Sequence, residues 1–115
     1  MTPHRQKVAL ARVKGDRELL QDIIGLFFEE TPALMAALRE SIACHDAQAI
    51  ARAAHSLKGT VSSFGAPTAR DAAFRLEMLG RSGDLTHVEP ACAELVQEIA
   101  RLEQALAVFR GEQVT

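Results

Sequence analysis

Apolar residues recur along this chain at intervals of three and four, the spacing of helices buried along one side. Val8, Leu10 and Val13 predict a short helix over residues 3–13, broken at Lys14-Gly15-Asp16, with Asp16 placed to cap the next helix. That helix carries Leu20, Ile23, Ile24, Phe27 and Phe28. Pro32 interrupts it, yet the stripe resumes with Leu34, Met35, Leu38 and Ile42, so a kinked helix and two abutting helices both fit. Asp46 predicts the cap of a helix reaching about Phe64, where Gly65 stops it. Pro67 opens the following helix, which runs to about Gly80 and the turn Arg81-Ser82-Gly83-Asp84. Thr86 and Glu89 have capping-box spacing for a last helix, with Pro90 still in its first turn and Leu95, Val96, Ile99, Leu102, Leu106 and Phe109 as its buried stripe. No segment alternates as a half-buried strand does. The expected fold is all-α: an antiparallel four-helix bundle with a short additional N-terminal helix, forming a single domain over residues 1–115.

The helix after Asp46 holds a residue that its core stripe does not use. Ala47, Ile50, Ala54, Leu57, Val61 and Phe64 form the bundle-facing side. At about 100° per residue, His55 falls roughly 135° from the centre of that side, facing solvent. Around it on the same surface lie Ala51, Lys58, Gly59 and Ser62. A glycine inside a helix costs about 1 kcal/mol relative to alanine, so Gly59 requires a reason. Close packing against a neighbouring helix is one; room for a bulky group on the imidazole, or for a partner approaching it, is the other. Because Gly59 lies about as far from the core stripe as His55, access is the preferred reading. Lys58, one turn beyond His55, places an ammonium where a phosphoryl oxygen would need screening, although a solvated lysine is the default for such a position.

These residues, His55-Ser56-Leu57-Lys58-Gly59, resemble the signature of the histidine-phosphotransfer (HPt) domain family. The resemblance extends to Ala53-Ala54 before the histidine, Phe64-Gly65-Ala66 at the end of its helix and Leu76-Glu77 in the next. It also takes in Gly15-Asp16, Phe28-Glu29-Glu30-Thr31-Pro32 and the turn Gly80-Arg81-Ser82-Gly83-Asp84, and covers roughly residues 8–109. It implies a four-helix bundle whose exposed histidine takes a phosphoryl group from a receiver aspartyl phosphate, or from a kinase, and passes it to another receiver aspartate. His55 matches the phosphoacceptor, Lys58 and Gly59 the positions beside the ring, and Glu77 the residue that hydrogen-bonds the imidazole. Many phosphorelay members have Gln at that last position and chemotaxis-kinase members often have Glu, which leaves the donor class open.

Composition narrows the surroundings of that chemistry. The net charge of −2 argues against nucleic-acid binding. From Arg52 to Arg81, however, five basic residues stand against two acidic ones, a net of +3 that leaves −5 elsewhere. On charge alone these are solvated helix faces; beside the resemblance they fit docking to an acidic receiver pocket, with Ala51, Arg52 and Ser62 as expected partner contacts. No Gly-rich nucleotide loop, Walker lysine or metal cage is apparent, so no cofactor is expected on the isolated domain and no autonomous kinase activity, with magnesium supplied by the receiver. No apolar run approaches the roughly 18 residues of a membrane span, and the first ten residues lack a signal-peptide core. Cys44 and Cys92 form no CxxC pair and are expected to be buried or partly buried free thiols. A cytoplasmic monomer, free-standing or part of a larger sensor kinase, is the expectation.

Two other classes stay open on the residues alone. A helical interaction module that is never phosphorylated has the same fold. A metal-dependent bundle enzyme needs Glu-x-x-His pairs on facing helices, and this chain has none. His4, His45 and His87 are expected at the surface.

Overall fold

The computed structural model describes residues 17–114, with side chains for 18–109. Helix α1 spans Arg17–Ala43, α2 Ala47–Ser62, α3 Pro67–Ser82 and α4 Val88–Val114. The turns between them are short, so successive helices run antiparallel, as the pattern predicts. The expected helix over residues 3–13 and the Asp16 cap lie outside the described residues.

Helix α1 continues through Pro32 rather than dividing there. Pro32 and its neighbour Ala33 are exposed, while Leu20, Ile24, Phe27, Leu38 and Ile42 turn into the core. The tertiary contacts of that stripe offset the hydrogen bond that proline cannot donate. Helix α2 starts as predicted, with the Asp46 carboxylate accepting from the Ala49 N–H at 3.1 Å. It ends at Ser62, after which Gly65 takes φ +62°. Pro67 is the first residue of α3, and Gly83 closes that helix at φ +79°.

One predicted cap is corrected. Thr86 and Glu89 do not form a capping box, because α4 begins at Val88, two residues after Thr86. The Asp84 carboxylate instead accepts from both the N–H and the hydroxyl of Thr86, at 3.1 and 2.6 Å. An aspartate two residues upstream folds Thr86 into the turn, and the helix begins only beyond it. Cys44 is also exposed rather than buried, since it falls in the turn after α1; Cys92 is buried, and both are free thiols.

The core is aliphatic, with Leu38, Ile50, Leu57, Leu76 and Leu95 fully buried. Phe27 meets Phe28 and Phe64 edge to face, at centroid distances of 5.5 and 5.4 Å, and ties the end of α2 to α1. Helices α2 and α3 meet through small residues: Ala53 and Ala54 on one, Ala69, Ala72, Ala73 and Gly80 on the other. The closest approach is at Gly80, where a Cβ would stand 2.7 Å from the Ala51 nitrogen and 2.8 Å from the Ala47 carbonyl oxygen. Gly80 therefore does more than end a helix: its bare α-carbon sets the spacing of the two helices that build the site.

Candidate functional site

The stripe of α2 turns Ile50, Ala54, Leu57 and Val61 inward and leaves His55 outside, with 63% of its side chain exposed. The α3 stripe turns Leu76 inward and carries Glu77 to the α2–α3 seam, where only 2% of its side chain is exposed. Close helix spacing brings the two together, with His55 Nδ1 3.0 Å from Glu77 Oε2.

A buried carboxylate needs compensating charge. Lys58, one turn beyond His55, places Nζ 2.8 Å from Glu77 Oε1. This is an ion contact outside aligned hydrogen-bond geometry, and Oε1 has no aligned donor. Arg81, one turn beyond Glu77, donates from Nη2 to Oε2 at 2.8 Å. The Lys58 ammonium also lies over the Phe74 ring, 4.9 Å from its centroid. The Lys58 ammonium holds the Glu77 carboxyl below its ordinary 4.5; burial opposes this, and the hydrogen bond with His55 adds to it. Glu77 is thus an anion that only accepts hydrogen bonds, which puts the shared proton on Nδ1. In the neutral ring, Nε2 then carries the lone pair.

His55 stands on a ridge between two open grooves. One, of about 480 Å³, is lined on the α1 side by Leu26, Glu30, Gly59 and Thr60. The other, of about 640 Å³, is lined on the α3 side by Ala51, Arg52, Glu77 and Arg81. Both open to solvent and suit the surface of a macromolecule better than an enclosed small molecule. A Cβ placed on Gly59 would meet nothing within 4 Å, so close packing does not explain this glycine and open space beside the ring does.

The residues singled out from the sequence divide accordingly. His55, Lys58 and Glu77 form one cluster, with Gly59 beside it. Ala51 and Arg52 line the α3-side groove, although the Ala51 backbone is also where Gly80 rests. Ser62 is not brought to either groove: its hydroxyl donates to the Lys58 carbonyl at 2.6 Å, and it borders a separate hollow with Gly65, Pro67 and Arg70. Of the basic segment, Arg70 pairs with Asp71 and Arg75 with Glu94, as the solvated-face reading holds. Sequence reasoning missed the role of Arg81 and Gly80. The spacing of Glu77 and Arg81 was a usable signal, since residues four apart on a helix are neighbours. Among the described residues no group of three or more His, Cys, Asp or Glu side chains is placed to hold a metal ion, and no helix is long and apolar enough to cross a membrane.

An all-helical bundle that presents a histidine to solvent against a buried, ion-paired carboxylate defines a phosphocarrier class. The Hpt domain profile matches residues 22–105, and the chain belongs to the Hpt domain family. Its function is histidine phosphotransfer within a phosphorelay, the signalling system in which Hpt domains interact with receiver domains and histidine kinases. The crystal structure of histidine-containing phosphotransfer protein B (HptB) from Pseudomonas aeruginosa PAO1 is similar, with a TM-score of 0.83 and 24% identity over 97% of this chain and 98% of that one. At that identity the likeness establishes the fold. No match is found among curated proteins.

Proposed function

We propose that Nε2 of His55 is the atom that carries the phosphoryl group. The observation that supports this most is the pairing of the exposed ring, through Nδ1, with an ionised carboxylate 3.0 Å away. Glu77 fixes ring orientation and tautomer, so Nε2 presents its lone pair to the donor. That pair forms the N–P bond, the P–O bond to the partner's aspartate breaks, and the aspartate oxygen keeps the electrons. Nδ1 retains its proton, so the ring becomes cationic beside Glu77. Lys58 offsets negative charge on the transferring group, and Gly59 leaves space for it. The reverse step delivers the group to a second receiver aspartate.

Arg52, with Ala51 in the same groove, contacts the receiver, whereas Ser62, turned to the Lys58 carbonyl, does not. The domain itself needs no cofactor and has no autonomous kinase activity; magnesium resides on the receiver. It works as a cytoplasmic monomer that neither inserts into membranes nor binds nucleic acid, its docking face being the exposed surface around His55.

The test is incubation with radiolabelled, phosphorylated receivers from the same genome. Acid-labile, alkali-stable label on the native chain and none on His55→Gln is the expected result. No transfer from any receiver, and none from an ATP-bound histidine kinase, would replace this reading with an unphosphorylated interaction module.

A further inference from the structure

Lys58 is already engaged. Its ammonium lies against Glu77 Oε1 at 2.8 Å and over the Phe74 ring, with 24% of its side chain exposed. To meet a phosphoryl group on Nε2 it must leave Oε1. Water is a poor replacement there, because Glu77 is 2% exposed. Losing a counter-charge from a buried carboxylate is strongly unfavourable unless another remains. Arg81 is the cation that can stay: Nη2 donates to the other carboxylate oxygen at 2.8 Å, from the same helix and one turn away.

We infer that Arg81 is a positioning residue for phosphotransfer, holding Glu77 compensated so that Lys58 is released to the phosphoryl group. This rests on His55 being the phosphoacceptor. Attack makes the ring cationic through Nδ1–H and puts a dianionic phosphoryl outside it. Glu77 then faces the ring and Arg81, while Lys58 moves outward with the charge that has appeared there. Without Arg81, Lys58 is held at Glu77, and the transferring group loses its cation. Of the other charged groups near the ring, Arg52 of α2 lines the Arg81 groove and Glu30 of α1 lines the opposite one; neither has an ion pair with Glu77.

Phosphoramidate tests this without a protein partner, so that docking effects drop out; its P–N bond breaks and ammonia leaves as Nε2 takes the phosphoryl group. Labelling of His55 in Arg81→Gln is expected to slow about tenfold, the effect of one charge-assisted contact to a transferring group. Arg81→Lys should recover most of the rate, since a point cation suffices to hold Glu77. Adding Arg81→Gln to Glu77→Gln should slow labelling little further, because no buried charge then needs Arg81.

Native-rate labelling by Arg81→Gln, or equal slowing in the Glu77→Gln background, overturns the inference while leaving His55 as carrier. A native chain that takes no label from phosphoramidate or from receivers overturns both. Should Arg81→Gln fail to fold, Glu77→Gln compared with Glu77→Gln/Arg81→Gln decides: matching rates support the inference and further slowing overturns it.

Discussion

Nδ1 of His55 and Oε2 of Glu77 lie 3.0 Å apart across two helices, one residue mostly exposed and the other almost wholly enclosed. On the proposed function the exposed partner does the chemistry and the enclosed one bears the energetic cost, so their substitutions should separate. His55→Gln is expected to change the unfolding free energy by no more than about 1 kcal/mol, because an exposed side chain is replaced by one that still donates to Glu77. Urea denaturation checks this. A loss well above that size would mean that the ring supports the core.

Glu77 gives the pH dependence. Its folded carboxyl binds a proton less readily than an unfolded one, since the Lys58 ammonium holds it below the ordinary 4.5. Its contribution to stability is therefore complete above that value and lost as pH falls through the lower folded value. Relative to Glu77→Gln, the native chain should lose stability progressively as pH falls below about 5, and the difference should be level above about pH 6. A level difference throughout would show that the cluster does not hold this charge.

The two helix glycines should respond in opposite ways. Gly59→Leu has open space for its first side-chain atom, and leucine is the better helix former, so stability should stay level or rise by up to about 1 kcal/mol. Phosphotransfer should nonetheless fall sharply, because the new side chain stands beside the ring. Transfer at the native rate would remove the access role of Gly59.

Gly80→Ala adds one carbon where the Ala51 nitrogen would be 2.7 Å away. Backbone cannot move aside as a flexible side chain does, so a destabilisation of about 1–3 kcal/mol is expected, with slower transfer as His55 and Glu77 separate. Thermal melting and a transfer assay read the two effects. Unchanged values in both would show that the helices can part freely.

Asp46→Ala removes the acceptor that holds the Ala49 N–H and should cost about 1 kcal/mol by denaturant titration, with no change in transfer rate. Slowed transfer would tie the start of α2 to the site.

The parts legible in the sequence are those that depend on one helix at a time. The α2 stripe and the outward His55 follow from periodicity, and Asp46, Gly65 and Pro67 act through neighbouring residues in the chain. Relations between helices were harder to read. Gly80 looks like a stop because its neighbours are turn residues, yet its contact is Ala51, on another helix. Arg81 reads in the sequence as one of several arginines of a basic docking segment, and only the burial of Glu77 gives it a contact within the site. At Thr86 the local pattern misled, since Asp84 holds Thr86 in the turn and the helix begins only at Val88. Pro32 was undecidable locally, because whether a helix survives a proline depends on the packing around it.

The contact of Gly80 with Ala51 bears on how such a chain can diversify. The spacing of the two helices that carry His55 and Glu77 is set there by main chain against main chain, with no rotamer involved. Leu26, Arg52, Phe74 and Met78, all exposed, take no part in that gauge. On the proposed function, descendants of this sequence can exchange those outer side chains and acquire new signalling partners while His55 and Glu77 keep their helix spacing, so that the choice of correspondent and the chemistry performed are inherited separately.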